Sequence, residues 1–241
     1  MNAAMVLLSG GLDSSVLVHE VRRRLGDEGV LHALSFDYGQ KHVCELRMAR
    51  AQAKAARAAS HRVVDLSFFK ALTAGGSALT DESIAVPDWA SLSESQRAQP
   101  PTYVPNRNMV LLALAAAAAE AAGMTDLFYG AQKQDRYGYW DCTPEFVERL
   151  NAVLALNRGR PVRVHAPFAG LSKADIVRLG VRLKVDFTAT WSCYRGVPPA
   201  CGTCPTCVER EAAFREAGAR RALDSGARHR QHRAILERGS G

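Results

Sequence analysis

Apolar residues follow two alternating rhythms along this chain. Short, mostly apolar runs at residues 5–8, 30–36, 63–66, 126–130 and 162–165 have the length and lack of alternation expected of strands covered on both faces. Helical patterns lie between them. Residues 13–25 carry apolar positions at 16, 17, 21 and 25, and alanines at 49, 51, 53, 55, 56, 58 and 59 give the next segment high helix propensity. A third helix starts at Pro105 and Asn106, continues to Ala122 and stops at Gly123, and a fourth runs from Glu145 to about Asn157. Another opens with Ser172 as N-cap and Lys173 in its first turn. This alternation predicts an α/β fold, a doubly wound parallel five-stranded sheet with helices on both faces that binds ligands beyond the carboxyl ends of the strands.

Between those patterned segments, residues 70–101 lose periodicity and gather glycine, serine and proline, the composition of a long loop of the lid type. The expected partition is a ligand-binding α/β domain over residues 1–186, a cysteine module over 187–215 and a basic tail over 216–241.

The first strand runs into Ser9-Gly10-Gly11-Leu12-Asp13-Ser14-Ser15. Glycines at a strand-to-helix junction let several N–H groups converge on an anion at the positive end of the helix, and the serines add hydroxyl donors. No Gly-Lys-Ser/Thr follows, which excludes the Walker loop. The stretch instead resembles the pyrophosphate (PP) loop of ATP pyrophosphatases, which implies cleavage of ATP between its α and β phosphates.

Asp37, Tyr38, Gly39 and Gln40 follow the second strand and so lie beside that loop. Arg107 falls in the first turn of a helix, where a cation opposes the helix dipole, so its position points to a phosphate or carboxylate partner. After the fourth strand come Asp135, Tyr139, Trp140 and Asp141, aromatics and carboxylates suited to stacking a flat heterocycle and accepting from its N–H edge. Lys173 is placed to close on ATP phosphates.

Cys193, Cys201, Cys204 and Cys207 are spaced C-x7-C-x2-C-x2-C. Four thiolates satisfy tetrahedral zinc and leave no open position, so the site reads as a structural clip. Disulfides are the competing reading, disfavoured in a reducing compartment, and an iron–sulfur cluster is a weaker rival.

Composition adds bounds. The 241 residues, 47% of them hydrophobic, suit one substantial α/β core, and the longest apolar run, 109–119, is too short to span a bilayer and reads as a buried helix. With no secretion signal, the chain is expected in the cytoplasm. A formal charge of +7 suits nucleic acid or an enzyme of anionic substrates. Much of the excess sits in the tail at Arg220, Arg221, Arg228, Arg230, Arg233 and Arg238, which reads as a solvated end. The basic residues show no aromatic interleaving, so tRNA binding is the less favoured function.

The motifs Ser-Gly-Gly-Leu-Asp-Ser at 9–14, Phe-Asp-Tyr-Gly-Gln-Lys-His at 36–42, Tyr-Val-Pro-Asn-Arg-Asn at 103–108, Asp141-Cys142 and Thr-Trp-Ser-Cys-Tyr at 190–194, with the cysteine set, together resemble the 7-cyano-7-deazaguanine synthase (QueC) family of queuosine biosynthesis. That resemblance implies a carbon–nitrogen ligase converting 7-carboxy-7-deazaguanine, ammonia and ATP to the nitrile through an adenylated acid and an amide. It also implies Mg2+, one structural Zn2+ and a homodimer. Carried over by residue, Leu8, Ser9, Gly10, Gly11, Leu12, Asp13, Ser14 and Ser15 hold ATP, and Asp13, Tyr38, Gln40, His42 and Lys173 serve catalysis. Arg107, Asn108, Asp135, Tyr139 and Asp141 bind the deazapurine. Tyr137, Trp140 and Thr143 depart from the family pattern, which leaves open a ligase that passes the same activated acid to a different amine, on a peptide or protein, or stops at the amide.

Overall fold

The computed structural model describes residues 1–133 and 138–220. Within them, strands β1 (Ala3–Leu7), β2 (Val30–Asp37), β3 (Ser60–Asp65), β4 (Asp126–Phe128) and β5 (Arg163–His165) form one parallel sheet in the order β3-β2-β1-β4-β5. The helices are α1 (Leu12–Leu25), α2 (Glu45–Ala55), α3 (Phe68–Leu72), α4 (Glu94–Ala98), α5 (Arg107–Ala121), α6 (Pro144–Leu154), α7 (Lys173–Arg182) and α8 (Pro205–Glu216). The chain winds outward from β1 through β2 to β3, then returns to lay β4 on the other side of β1. At that reversal the crossover helices leave opposite faces of the sheet, opening a crevice above the carboxyl ends of β1 and β4. Val6 sits in register with Ala33 on one side and Phe128 on the other.

Side chains of successive strand residues point to opposite faces, and two cores result. Ala4, Val6, Leu31 and Ala33 are buried with apolar residues of α1, α2, α7 and α8. Met5, Leu34 and Phe36 are buried with those of α5 and α6. An edge-on contact between Phe187 and Phe214, ring centres 4.9 Å apart, ties α8 into the first core.

The expected architecture is the observed one, with shifted limits. The alanine-rich helix begins at Glu45, ahead of the first alanine counted above, because alanine favours a helix without marking its ends. It ends before Arg57, whose φ of 54° turns the chain into β3. Only one stripe of α5, Leu112, Ala115, Ala116 and Ala119, is buried, while Met109 and Leu114 are 39% and 40% exposed, so the helix is half-buried rather than enclosed. The long loop is more ordered than its composition indicates. It takes in the end of α3, a single 3-10 turn at Trp89–Ser91, and α4, which is capped reciprocally by Ser93 and Gln96. Trp89 N–H donates to the Thr203 carbonyl at 2.8 Å, and Arg195 pairs with Asp88 at 2.8 Å, fastening the loop to the cysteine segment. No helix among the described residues is long and apolar enough to cross a membrane.

Candidate active site

The crevice is a cavity of about 690 Å3, within the range of about 300–1,000 Å3 common for ligand sites. The turn from β1 to α1 forms one wall. Gly10 has φ 89°, and a Cβ there would lie 2.1 Å from the Glu45 carbonyl oxygen, so α2 packs directly on the turn only because no side chain intervenes. The Ser14 hydroxyl accepts from Ser9 N–H at 3.2 Å and Gly10 N–H at 3.3 Å, and the Ser9 hydroxyl accepts from Gly11 N–H at 3.1 Å. These donors converge on serine hydroxyls that line the cavity, an arrangement that can hold an anion. Leu8, Leu12 and Asp13 line the same wall, whereas Ser15 is buried behind it.

The Ser172 side chain caps α7 in a reciprocal pair with Asp175, which aims Lys173 back at the turn. Lys173 Nζ lies 2.8 Å from Glu209 and 3.9 Å from Asp13. Burial raises the Asp13 carboxyl above its usual range, with Lys173 acting against that shift. Asp13 Oδ1 is buried with no partner, and such a hard anionic oxygen fits a divalent cation.

On the opposite wall, Asn106 takes φ 56°, a left-handed backbone that asparagine tolerates, and α5 starts with Arg107 turned inward. The Arg107 guanidinium donates to the Tyr38 hydroxyl at 3.3 Å and sits 5.8 Å from its ring centre. Burial works against the arginine charge, but the phenols of Tyr38 and Tyr194 more than offset this, and its pKa is raised. His42 and Glu45 lie beside it, with His42 Nε2 3.5 Å from Glu45 Oε1. Burial, then Arg107, pushes His42 down to about 3. Burial pushes Glu45 up to about 8, with Arg107 and Gln40 acting against it. Gln40 does not line the cavity. Its amide accepts from Tyr38 N–H and donates to Glu45 Oε1 at 3.4 Å, which holds both neighbours in place.

The remaining expected contacts divide. Asn108 and Tyr139 line the cavity, and the Tyr139 hydroxyl is 2.9 Å from Thr102 Oγ1. Asp141 lies behind the wall and accepts from Asn108 N–H at 3.1 Å, a carboxylate at the positive end of α5. Asp135 and Tyr137 fall outside the described residues. The other departures from the family pattern do not line the cavity: Trp140 donates to the Tyr103 hydroxyl at 2.8 Å, and Thr143 caps α6.

The four cysteine sulfurs lie within 4.8 Å of one another, those of Cys201 and Cys207 3.9 Å apart. Tetrahedral coordination at about 2.3 Å requires sulfurs about 3.8 Å apart, so this cluster fits such a metal. Backbone N–H groups of Cys201 and Cys204 point at the sulfurs of Cys193 and Cys201. Cys207 falls in the first turn of α8, whose next turn carries Glu209 and Arg210 to the cavity. Arg210 donates to the Ser192 hydroxyl and the Phe187 carbonyl, and burial lowers its pKa to about 10.

Glu45 and Arg210 carried no expectation from the sequence. A signal was nonetheless present: each is a charged residue on the buried stripe of its helix, Glu45 with Leu46, Ala49 and Ala53, and Arg210 with Cys207, Ala213 and Phe214.

The model of "Queuosine biosynthesis protein QueC" matches residues 3–218. The 7-cyano-7-deazaguanine synthase of Anaeromyxobacter sp. (strain Fw109-5) is 51% identical, over 89% of this chain and 92% of that one. That of Nostoc punctiforme is 42% identical over 89% and 96%, and that of Caldicellulosiruptor saccharolyticus 43% identical over 89% and 92%. With a PP-loop wall and an arginine–tyrosine wall facing one cavity, a four-cysteine cluster beside it, and near full-length matches of this identity, the chain belongs to the QueC family.

Proposed function

We propose that this chain is an ATP-dependent carbon–nitrogen ligase that converts 7-carboxy-7-deazaguanine and ammonia to 7-cyano-7-deazaguanine. The observation that carries the reading is that one cavity joins an anion-holding turn, Ser9 to Ser14 with Lys173, to a buried cation, Arg107, that can hold a carboxylate. A carboxylate is a poor electrophile, and transfer of AMP to its oxygen gives it a leaving group. Ser9, Gly11 and Ser14 bind the phosphates while Lys173 and Arg210 balance the charge that grows at phosphorus. Magnesium held at Asp13 supplies further neutralisation of the phosphates. Tyr38 and Arg107 orient the acid, with Gln40 and His42 near it, and Asn108, Asp135 and Tyr139 serve the base, Asp141 doing so through its bond to Asn108. The amide oxygen then occupies the place of the acid oxygen for a second adenylation, so one cavity serves both rounds.

In this reading residues 1–186 carry the activation chemistry, 187–215 hold one structural zinc and 216–241 form a basic tail. A reducing cytoplasm suits six cysteines free of disulfides, and the exposed Met109, Leu114 and Val153 supply apolar surface for a homodimer. The test is mass spectrometry of products from 7-carboxy-7-deazaguanine, MgATP and ammonium, beside Asp13→Ala. Nitrile, AMP and pyrophosphate from the unsubstituted chain alone are expected. Amide without nitrile would mean that the second round is absent, and no adenylate would overturn the reading.

A further inference from the structure

The roles above leave Glu45 unused. The residue lines the cavity although it is only 7% exposed, its Oε1 lies 3.5 Å from Nε2 of His42, which lines it too, and its backbone abuts Gly10. Beside it, His42 is 6% exposed and its Nδ1 is buried with no partner, which marks a place for one more polar group. With its proton on Nε2 facing Glu45, His42 presents an Nδ1 lone pair to an N–H. Arg107, which orients the acid, stands close enough to both to alter their charge. A nitrogen attacking a carboxyl carbon held by Arg107 therefore arrives beside Glu45 and His42.

We propose that Glu45 and His42 form the amine site of this cavity, with Glu45 the base that takes protons from nitrogen as ammonia becomes amide and amide becomes nitrile. The proposal rests on the ligase reading above. In the first round the ammonia lone pair forms the C–N bond, the C–O bond to AMP breaks with its electrons leaving on AMP, and one proton passes from nitrogen to Glu45. In the second round the O-adenylated amide loses AMP and two N–H protons as the nitrile forms. Three protons thus leave nitrogen, and Glu45 passes each to solvent before the next.

The other groups facing this point are poorer acceptors. His42, pushed to about 3, holds a proton too weakly, and Tyr38 is a phenol bonded to Arg107. Asp13 lies on the phosphate wall, 3.9 Å from Lys173. Glu45, pushed up to about 8, is a far stronger base than an ordinary carboxylate and still ionises at working pH.

Glu45→Gln keeps the shape and removes the base. Exchange between ATP and labelled pyrophosphate, which depends on the acid and needs no proton from nitrogen, is expected within about threefold of the unsubstituted chain. Amide and nitrile formation from ammonium is expected to fall about 100-fold or more. In the unsubstituted chain, single-turnover amide formation at a fixed concentration of free ammonia should rise with pH towards 8, a limb the variant lacks. Amide formation by Glu45→Gln at the unsubstituted rate would overturn the proposal, as would parallel loss of exchange and amide in a variant that melts normally. If Glu45→Gln does not fold, Glu45→Asp decides: it keeps a carboxyl, so amide formation with the rising pH limb is required and a flat profile overturns the assignment. An unsubstituted chain that catalyses exchange but forms no amide would also overturn it, and one that does neither would overturn the ligase reading itself.

Discussion

Trp191 N–H donates to the carbonyl of Gly10 at 2.9 Å, so the segment leading into the cysteine cluster is bonded directly to the phosphate-binding turn. Trp191 Nε1 in turn donates to the Cys193 carbonyl at 2.7 Å, and the Thr206 hydroxyl donates to the Ser192 carbonyl at 2.6 Å. A metal holding Cys193, Cys204 and Cys207 therefore fixes the strap that holds the turn. Elemental analysis is expected to give one zinc per chain. Stripping it with a chelator should lower the melting temperature and weaken ATP binding at least about fivefold, the loss of one hydrogen bond of about 1 kcal/mol. Calorimetry showing unchanged ATP affinity in the stripped protein would break this link.

Gly10 and Gly11 should respond differently to alanine. At Gly10 the backbone has φ 89° and the new Cβ would meet backbone atoms of Glu45 and Ala49 at 2.1 and 2.6 Å, which cannot yield without moving α2. At Gly11 the nearest atom is the Ser9 hydroxyl at 3.2 Å, a side chain that can rotate. Gly10→Ala is expected to cost about 3 kcal/mol or more, and Gly11→Ala below about 1 kcal/mol, in urea unfolding. Equal losses at the two positions would contradict the packing described.

The turn after β1 and the cysteine spacing were legible because each is local: a strand, two glycines and a helix, or four ligands within fifteen residues. Arg107 was legible from its electrostatic misplacement in a first helical turn. What escaped were contacts that only the fold creates. The long loop was unreadable because α3 and α4, five residues each, are too short to show a period and take their form from the segment they lie on. The bond from Asn108 N–H to the Asp141 carboxylate is one such contact, a relationship between segments distant in sequence. Glu45 looked like an ordinary helix residue until the packing of α2 on Gly10 brought it to the cavity.

Arg107→Lys keeps a charge but loses the planar fork that reaches Tyr38. If Arg107 orients the acid, KM for the deazapurine acid should rise about 10- to 100-fold, with KM for ATP within about threefold. Steady-state kinetics with each substrate varied in turn separates the two. A rise confined to ATP would move Arg107 to the phosphate side.

Glu45 and His42 should give the fold opposing pH limbs. Glu45, raised from 4.5 to about 8, keeps in the folded state a proton that the unfolded chain has released, so its contribution to stability falls as pH rises from 4.5 to 8. His42, lowered from 6.5 to about 3, stays neutral when folded while the unfolded chain takes a proton, so its contribution falls as pH drops from 6.5 to 3. Between 4.5 and 6.5 the two slopes cancel. Above 6.5 only Glu45 acts, and the shift of 1.5 pH units to pH 8 corresponds to a loss on the order of 2 kcal/mol. Unfolding free energies from urea titrations at pH 6.5 and pH 8 should therefore differ less in Glu45→Gln than in the unsubstituted chain, by about that amount. The same decline in both proteins would mean that Glu45 ionises as an ordinary carboxylate in the fold.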